Sequence, residues 1–144
     1  MRPQAMALHG TMVAPLFRLY LAISADGFIA TMDGEVDWLD PYPAQDFGFD
    51  AFLAGIGTIV MGRTSYEQTL RFGPWPFGAK RTIVMTSRPL VSPPARIERR
   101  HGDAAAVAAE LRAGGTGDVW LFGGANVARQ FLDAGIVDRI ELFV

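Results

Sequence analysis

Three short segments of the chain bring glycine, hydroxyl and arginine residues together directly after apolar runs. They are residues 62–65 (Gly-Arg-Thr-Ser), residues 86–88 (Thr-Ser-Arg) and residues 123–124 (Gly-Gly). Glycine allows a ligand to approach the backbone closely, and hydroxyl and guanidinium groups donate hydrogen bonds to phosphate oxygens. An ordinary turn or helix cap explains each segment on its own. Three of them in one small domain favour a site for a phosphorylated ligand.

Two of these segments suit different parts of such a ligand. Gly123-Gly124 precedes a predicted helix, whose unpaired first-turn N–H groups favour a pyrophosphate, although the full G-x-G-x-x-G pattern of Rossmann domains is absent. The hydroxyl and arginine side chains of residues 86–88 suit a phosphate monoester, such as the 2′-phosphate that distinguishes NADPH from NADH. Together the segments favour a ligand that carries phosphate groups.

These segments lie where predicted strands meet helices or turns. Apolar runs of strand length predict strands at residues 17–23, 58–61, 82–85, 119–122 and 139–144. Helical patterns are present at residues 50–55, 65–70, 103–113 and 126–134. This alternation predicts an α/β layer structure with a largely parallel sheet, in which ligands bind at the carboxyl ends of the strands.

Capping signals support the helix boundaries. Thr64 and Glu67 have the spacing of a capping box, and Asp103 is a favourable N-cap residue. Gly114-Gly115 and Gly135 follow helical runs, where left-handed C-cap residues are favoured.

Composition limits the classes of function. The 144 residues are 50% hydrophobic and 19% charged, which is typical of one compact domain. The absence of cysteine and the presence of only two histidines predict no metal site, and the net charge of −2 argues against nucleic-acid binding. No apolar run has the roughly 20 residues that span a membrane, so we expect a cytoplasmic protein.

Residues 1–15 are expected to form a flexible arm before a domain at 16–144. The arginine-rich residues 96–100 are expected to form a solvated strand and turn.

An ordered set of motifs resembles a known family. The motifs are at residues 24–30, 37–39, 60–67, 83–89 and 122–132. Together they resemble the dihydrofolate-reductase-like superfamily, and within it the reductase domain of bacterial riboflavin biosynthesis, the RibD C-terminal domain family. The resemblance implies a three-layer α/β fold, with a central, mostly parallel mixed sheet flanked by helices. It also implies an NADPH-dependent reductase that transfers a hydride to a C=N group of a pyrimidine or pteridine substrate, resembling 5-amino-6-(5-phosphoribosylamino)uracil reductase.

The resemblance also assigns residues to the cofactor and to the substrate. Residues 33–38 would form a mobile loop over the nicotinamide. The cofactor-binding residues would be Ala22, Ser24, Ile29, Gly62, Arg63, Thr64, Ser65, Thr86, Ser87, Arg88, Gly123, Gly124, Ala125, Asn126 and Val127. Trp38 and Phe52 would lie on the substrate side of the site.

The chain departs from the family pattern in two places. In the folate-reducing branch of the superfamily, a carboxylate lies at the start of the first helix. A carboxylate of this chain aligns with that position only if a gap is introduced, so Asp46 and Asp50 are only candidate catalytic acids. Relatives continue beyond the strand at 139–144 with further strands, which predicts either a missing tail or a second subunit along this edge. Relatives commonly dimerise, so a homodimer that acts on a small molecule is expected. Dihydrofolate reduction and a non-catalytic nucleotide sensor are the alternative functions.

Overall fold

A computed structural model describes residues 14–28, 48–94 and 96–144. Its strands are β1 (Phe17–Ala22), β2 (Ile56–Gly62), β3 (Arg81–Met85), β4 (Ile97–Arg100), β5 (Asp118–Gly123) and β6 (Arg139–Phe143). Its helices are α1 (Phe49–Ala54), α2 (Arg63–Arg71), α3 (Ala104–Gly114) and α4 (Ala125–Asp133). The five strands predicted from apolar runs and the four predicted helices are all present, and β4 lies in the arginine-rich residues 96–100, where a solvated strand and turn were expected.

The six strands form a single sheet in the order β4-β3-β2-β5-β1-β6. Every strand pair in the described residues is parallel, so the sheet shows no antiparallel member there. Parallel strands place their carboxyl ends at one edge of the sheet, and helices must cover both faces because such sheets are buried. The predicted α/β fold is confirmed.

Helices pack on both faces of this sheet and complete three layers. On one face, α3 and α4 contribute Leu111 and Phe131 to a core that contains Phe17 and Leu121 of the strands. On the other face, α1 and α2 contribute to a second, aromatic core. Its fully or largely buried members are Phe52, Ile56, Ile59, Met61, Tyr66, Val84, Ile97 and Trp120. The two cores cover the two faces of the sheet along its strands.

The helix ends confirm some capping predictions and correct others. The Asp103 carboxylate accepts a hydrogen bond from the backbone N–H of Ala106 at 2.8 Å, and Gly135 follows α4 with φ of 70°, both as predicted. The predicted capping box at Thr64 and Glu67 is wrong, because α2 already begins at Arg63 and its N-cap is Gly62. Gly115 is extended, with φ of −84°, and is therefore not a left-handed cap.

None of the helices in the described residues is long and apolar enough to span a membrane.

Candidate functional site

The strand order brings all three predicted segments to one place. β2 lies between β3 and β5, with Gly62 opposite Met85 on one side and Met61 opposite Gly123 on the other. Since all three strands are parallel, the segments that follow them lie side by side at the carboxyl edge of the sheet. We call this edge, formed by residues 62–65, 86–88 and 123–127, the junction edge.

Close packing links the ends of β2 and β5. A methyl group at Gly62 would lie 3.2 Å from Cγ2 of Val127, which is tighter than ordinary van der Waals contact, so the end of β2 lies close to α4. A methyl group at Gly124 would lie 3.8 Å from the hydroxyl oxygen of Ser65, which is ordinary contact distance. Gly123 has φ of 121°, a conformation that favours glycine, and its peptide bond to Gly124 is cis. The two glycine segments therefore form one continuous surface.

The two helices that start at the junction edge have no side-chain caps. α2 and α4 begin after Gly62 and Gly124, without a side-chain hydrogen bond at the N-cap and without an acidic residue in the first turn. α3, in contrast, is capped by the Asp103 carboxylate. First-turn N–H groups and the helix dipole attract anions. Two uncapped helix starts beside each other are suited to a diphosphate group.

Arg63 connects α2 to the turn that follows β3. Its Nη1 donates to the Thr86 hydroxyl at 3.4 Å and to the Arg88 carbonyl at 3.2 Å, and its Nη2 donates to the Pro89 carbonyl at 3.2 Å. Its Nε donates to the Glu67 carboxylate at 3.0 Å. The predicted role of Arg63 was anion binding, and the structure shows that most of its donors hold the neighbouring turn.

The turn itself presents a hydroxyl and a guanidinium to solvent. The Thr86 hydroxyl accepts the N–H of Arg88 at 3.2 Å, which orders the backbone between them. Ser87 and Arg88 are both exposed, and the Arg88 side chain forms no ion pair with a described residue. An exposed, unpaired guanidinium next to a hydroxyl remains available for an anion.

Arg99 of β4 also contacts this turn, and no pattern in the sequence indicated it. Its Nη1 donates to the Ser87 carbonyl oxygen at 3.0 Å. The pairing of Val84 with Arg99 across β3 and β4 determines this contact. Because Ser87 and Arg99 are twelve residues apart, only the strand register could reveal it.

The remaining cofactor residues are partly described. Thr64, Ala125 and Asn126 are exposed in the first turns of α2 and α4, whereas Val127 is buried beneath them. Ala22 ends β1, and the Ser24 hydroxyl accepts the N–H of Phe28 at 3.0 Å and contacts the Asp26 carboxylate. Ile29 lies outside the described residues.

The structure describes only two of the four residues that were predicted for catalysis and for the substrate side of the site. Asp50 is exposed in the first turn of α1 and makes no hydrogen bond with a described residue. Phe52 is 6% exposed and its ring is 3.9 Å from that of Tyr20, centroid to centroid, so it belongs to the aromatic core. Asp46, Trp38 and the predicted loop at 33–38 lie outside the described residues.

Two buried polar atoms in the aromatic core lack a partner among the described residues. They are the Tyr66 hydroxyl and the Trp75 Nε1, and the two rings are 5.8 Å apart. Burial raises the pKa of Tyr66 and is the largest of three effects on it. The nearby Arg63 lowers this pKa, and Glu67 raises it. Tyr66 therefore stays protonated as a neutral donor at physiological pH.

Comparison with known proteins places the chain in a family. Residues 15–144 match the model of the RibD C-terminal domain. The Bacillus subtilis protein YwjB, itself uncharacterised, is 30% identical and aligns with 88% of this chain and 74% of its own length. A crystal structure of a Shewanella sp. PV-4 protein, provisionally assigned to riboflavin biosynthesis, is 27% identical, with a TM-score of 0.76. It aligns over 91% of this chain and 77% of that one.

Two more distant solved structures share the fold. A Thermotoga maritima deaminase and 5-amino-6-(5-phosphoribosylamino)uracil reductase aligns over 91% of this chain and 45% of its own, at 18% identity and a TM-score of 0.56. Enterococcus faecalis dihydrofolate reductase, solved with NADP(H), aligns over 83% of this chain and 65% of its own, at 20% identity and a TM-score of 0.57. The fold is thus that of dihydrofolate reductase.

Proposed function

The chain belongs to the RibD C-terminal domain family, and from this premise we propose that it is an NADPH-dependent reductase. The proposed reaction transfers a hydride to a C=N group of a pyrimidine or pteridine substrate. The Thermotoga neighbour, whose name includes a uracil reductase activity, and the Enterococcus neighbour with its bound NADP(H) support this proposal through the fold alone.

The observation that carries the proposal is the junction edge. Two uncapped helix starts and a hydroxyl-and-arginine turn lie on three adjacent strands, β5, β2 and β3. One phosphate group needs only one such feature. Two neighbouring helix starts would bind a pyrophosphate, and the turn beside them would bind a further phosphate. A dinucleotide such as NADPH carries both groups.

The residues of the junction edge fit NADPH in type and in space. The first-turn N–H groups after Gly124 and Gly62 would bind the pyrophosphate, and the exposed Ser87 and Arg88 would bind the 2′-phosphate. The contact of Gly62 with Val127 keeps the two helix starts together. When bound, NADPH supplies the hydride, and the protein orients donor and acceptor and excludes water.

The proposed substrate is a planar heterocycle. Half-buried aromatic rings lie on the α1–α2 face of the sheet, including Phe122 of β5 and Phe143 of β6 near the carboxyl ends of their strands. Such rings pack well against flat ligands. Dihydrofolate is the alternative substrate, and Asp50, the candidate carboxylate in the described residues, gives it no support, because its side chain is exposed and bonds to none of those residues.

Titration with NADPH and with NADH, followed by nicotinamide fluorescence, tests the cofactor. The parent chain should prefer NADPH. Gly124→Asp should abolish binding of both nucleotides, because a carboxylate at the start of α4 repels the pyrophosphate. The double variant Ser87→Ala/Arg88→Ala should lose the preference for NADPH and keep NADH binding. Arg129→Gln, at an 80% exposed side chain on α4, is the matched control and should bind as the parent does.

Binding and turnover distinguish the alternatives. If the parent chain binds neither nucleotide, the reductase proposal is wrong. If it binds NADPH but oxidises it with no member of a panel of pyrimidine, pteridine and folate substrates, the nucleotide sensor is the better description. Oxidation with dihydrofolate alone would favour a dihydrofolate reductase.

A further inference from the structure

Arg99 occupies a position on β4 that separates it from the other charged residues of that strand. Glu98 and Arg100 point to the face covered by α3, where Glu110 of that helix binds Arg100. Arg99 alternates with them and is exposed, and its guanidinium reaches the turn after β3. It is therefore near Ser87 and Arg88, on the outer side of the junction edge.

The guanidinium groups in this half of the sheet differ in whether a carboxylate balances their charge. Arg81 binds both Glu98 and Glu110, at 2.7 and 2.6 Å, and Arg100 binds the same two carboxylates. Arg99 has no carboxylate within ion-pair distance among the described residues, and the same holds for Arg88.

Two unbalanced cations therefore lie beside one exposed serine hydroxyl. Arg99 uses one N–H for the carbonyl of Ser87, and a guanidinium has five such donors. On the opposite side, Arg63 holds the carbonyls of Arg88 and Pro89. The turn is held from two sides by guanidinium groups, and its own hydroxyl and arginine are left for a ligand of about two negative charges.

We propose that Arg99 is a second phosphate-recognising cation for the 2′-phosphate and a determinant of the preference for NADPH over NADH. This inference rests on the proposed function, and it adds a residue from β4 to a site otherwise formed by the turn after β3. A phosphate monoester dianion is the ligand chemistry that two unbalanced guanidinium groups and a hydroxyl recognise.

Variants at Arg99 test its charge and its hydrogen bond to the turn. Arg99→Gln removes the charge and leaves a shorter amide side chain. Arg99→Lys keeps the charge and loses the planar fork. Arg139→Gln, on β6 at the opposite edge of the sheet, is the matched control. Kd is measured for NADPH and for NADH at two salt concentrations, and thermal unfolding is recorded for each variant.

We expect Arg99→Gln to raise the Kd for NADPH about 10-fold, because one charge-assisted hydrogen bond is lost. The Kd for NADH should change less than about 2-fold. Arg99→Lys should retain most of the NADPH affinity. The salt dependence of NADPH binding should weaken in Arg99→Gln and stay unchanged in Arg139→Gln.

Other outcomes overturn the inference. If the Kd values for NADPH and NADH rise together in Arg99→Gln, Arg99 acts by holding the turn and does not recognise the phosphate. If neither value changes, Arg99 has no part in the site, while the NADPH preference of the parent leaves the proposed function intact. If the parent itself binds neither nucleotide, the proposed function and this inference are both wrong.

Discussion

The guanidinium of Arg63 donates to the hydroxyl of Thr86, 23 residues further along the chain, across 3.4 Å. One residue begins α2 and the other follows β3, so this contact joins two of the three segments of the junction edge. The remaining donors of Arg63 hold the carbonyls of the same turn and the carboxylate of Glu67. The shape of the turn after β3 therefore depends on a residue that belongs to another segment.

Replacement of Arg63 should disturb nucleotide binding more than protein stability. Arg63→Gln removes three hydrogen bonds to the turn, and we expect the Kd for NADPH to rise at least about 10-fold. Since the bonds to the Arg88 and Pro89 carbonyls are exposed, water can replace them, and the free energy of unfolding should fall by only about 1 kcal/mol. Fluorescence titration and urea unfolding measure the two effects. Unchanged NADPH binding would show that the turn keeps its shape without Arg63.

Gly62 should tolerate a methyl group poorly because of its contact with Val127. The added carbon would lie 3.2 Å from Cγ2 of Val127, so we expect Gly62→Ala to lower the free energy of unfolding by about 1 kcal/mol. Gly102→Ala, with open space around the new methyl group, is the control. In the double variant Gly62→Ala/Val127→Ala the clash is removed. The double variant should therefore lose less stability than the sum of the losses in the two single variants, and strict additivity would contradict the contact.

The ion-pair network on the α3 face should make stability depend on pH in the acid range. The Arg100 guanidinium, with Arg81 beside it, lowers the pKa of Glu110 to about 2, and Arg81 lowers that of Glu98. A lowered pKa in the folded state stabilises the protein above the ordinary value near 4.5, and this contribution is lost as pH falls toward 2. Because Glu110 is 36% exposed, we expect a contribution below about 1 kcal/mol.

Urea unfolding between pH 6 and pH 2 tests this network. Glu110→Gln should lose stability relative to the parent at pH 6, and the difference should shrink toward pH 2. Asp133→Asn, at a 76% exposed carboxylate on α4, should follow the parent at every pH. A constant difference between parent and Glu110→Gln across this range would be inconsistent with the lowered pKa.

The Tyr66 hydroxyl should contribute little to stability. It is buried without a hydrogen-bond partner in the described residues, so its removal in Tyr66→Phe leaves no other group unpaired. We expect a free energy of unfolding within about 0.5 kcal/mol of the parent, or slightly higher. Tyr66→Ala, which also removes the ring packed against Trp75, should cost about 3 kcal/mol or more. A large loss in Tyr66→Phe would reveal a partner for the hydroxyl.

The homodimer expected from the sequence remains a prediction, and β6 is the place to test it. Ile140 and Leu142 are 53% and 47% exposed on this strand, and no described strand pairs with its outer edge. A twofold antiparallel pairing centred on Ile140 would set Arg139 opposite the partner's Glu141, which favours a second copy as the occupant. Gel filtration should show a dimer that Ile140→Lys converts to a monomer. Val91→Lys, at an 86% exposed position outside the sheet, should remain dimeric.

Local patterns in the sequence were sufficient for the elements of the fold. Apolar runs of strand length predicted β1, β2, β3, β5 and β6, and helical patterns predicted all four helices. β4 was expected only as a solvated strand and turn in the arginine-rich segment, because Ile97 is its single apolar residue. The capping box at Thr64 failed for a different reason. Its spacing is correct, but the helix already begins at Arg63, so Thr64 lies inside the first turn.

The types of residue at the junction edge were also evident from the sequence, since glycine, hydroxyl and arginine residues after a strand have a local meaning. Their convergence was not, because it depends on the order β3-β2-β5 in the sheet. The tertiary structure also decided how the cations are used. Arg63 holds a turn, Arg88 is unpaired, and Arg99 reaches Ser87 from a neighbouring strand. Sequence determines which groups follow each strand, but distances between groups on different strands arise only when the sheet assembles and sets their register.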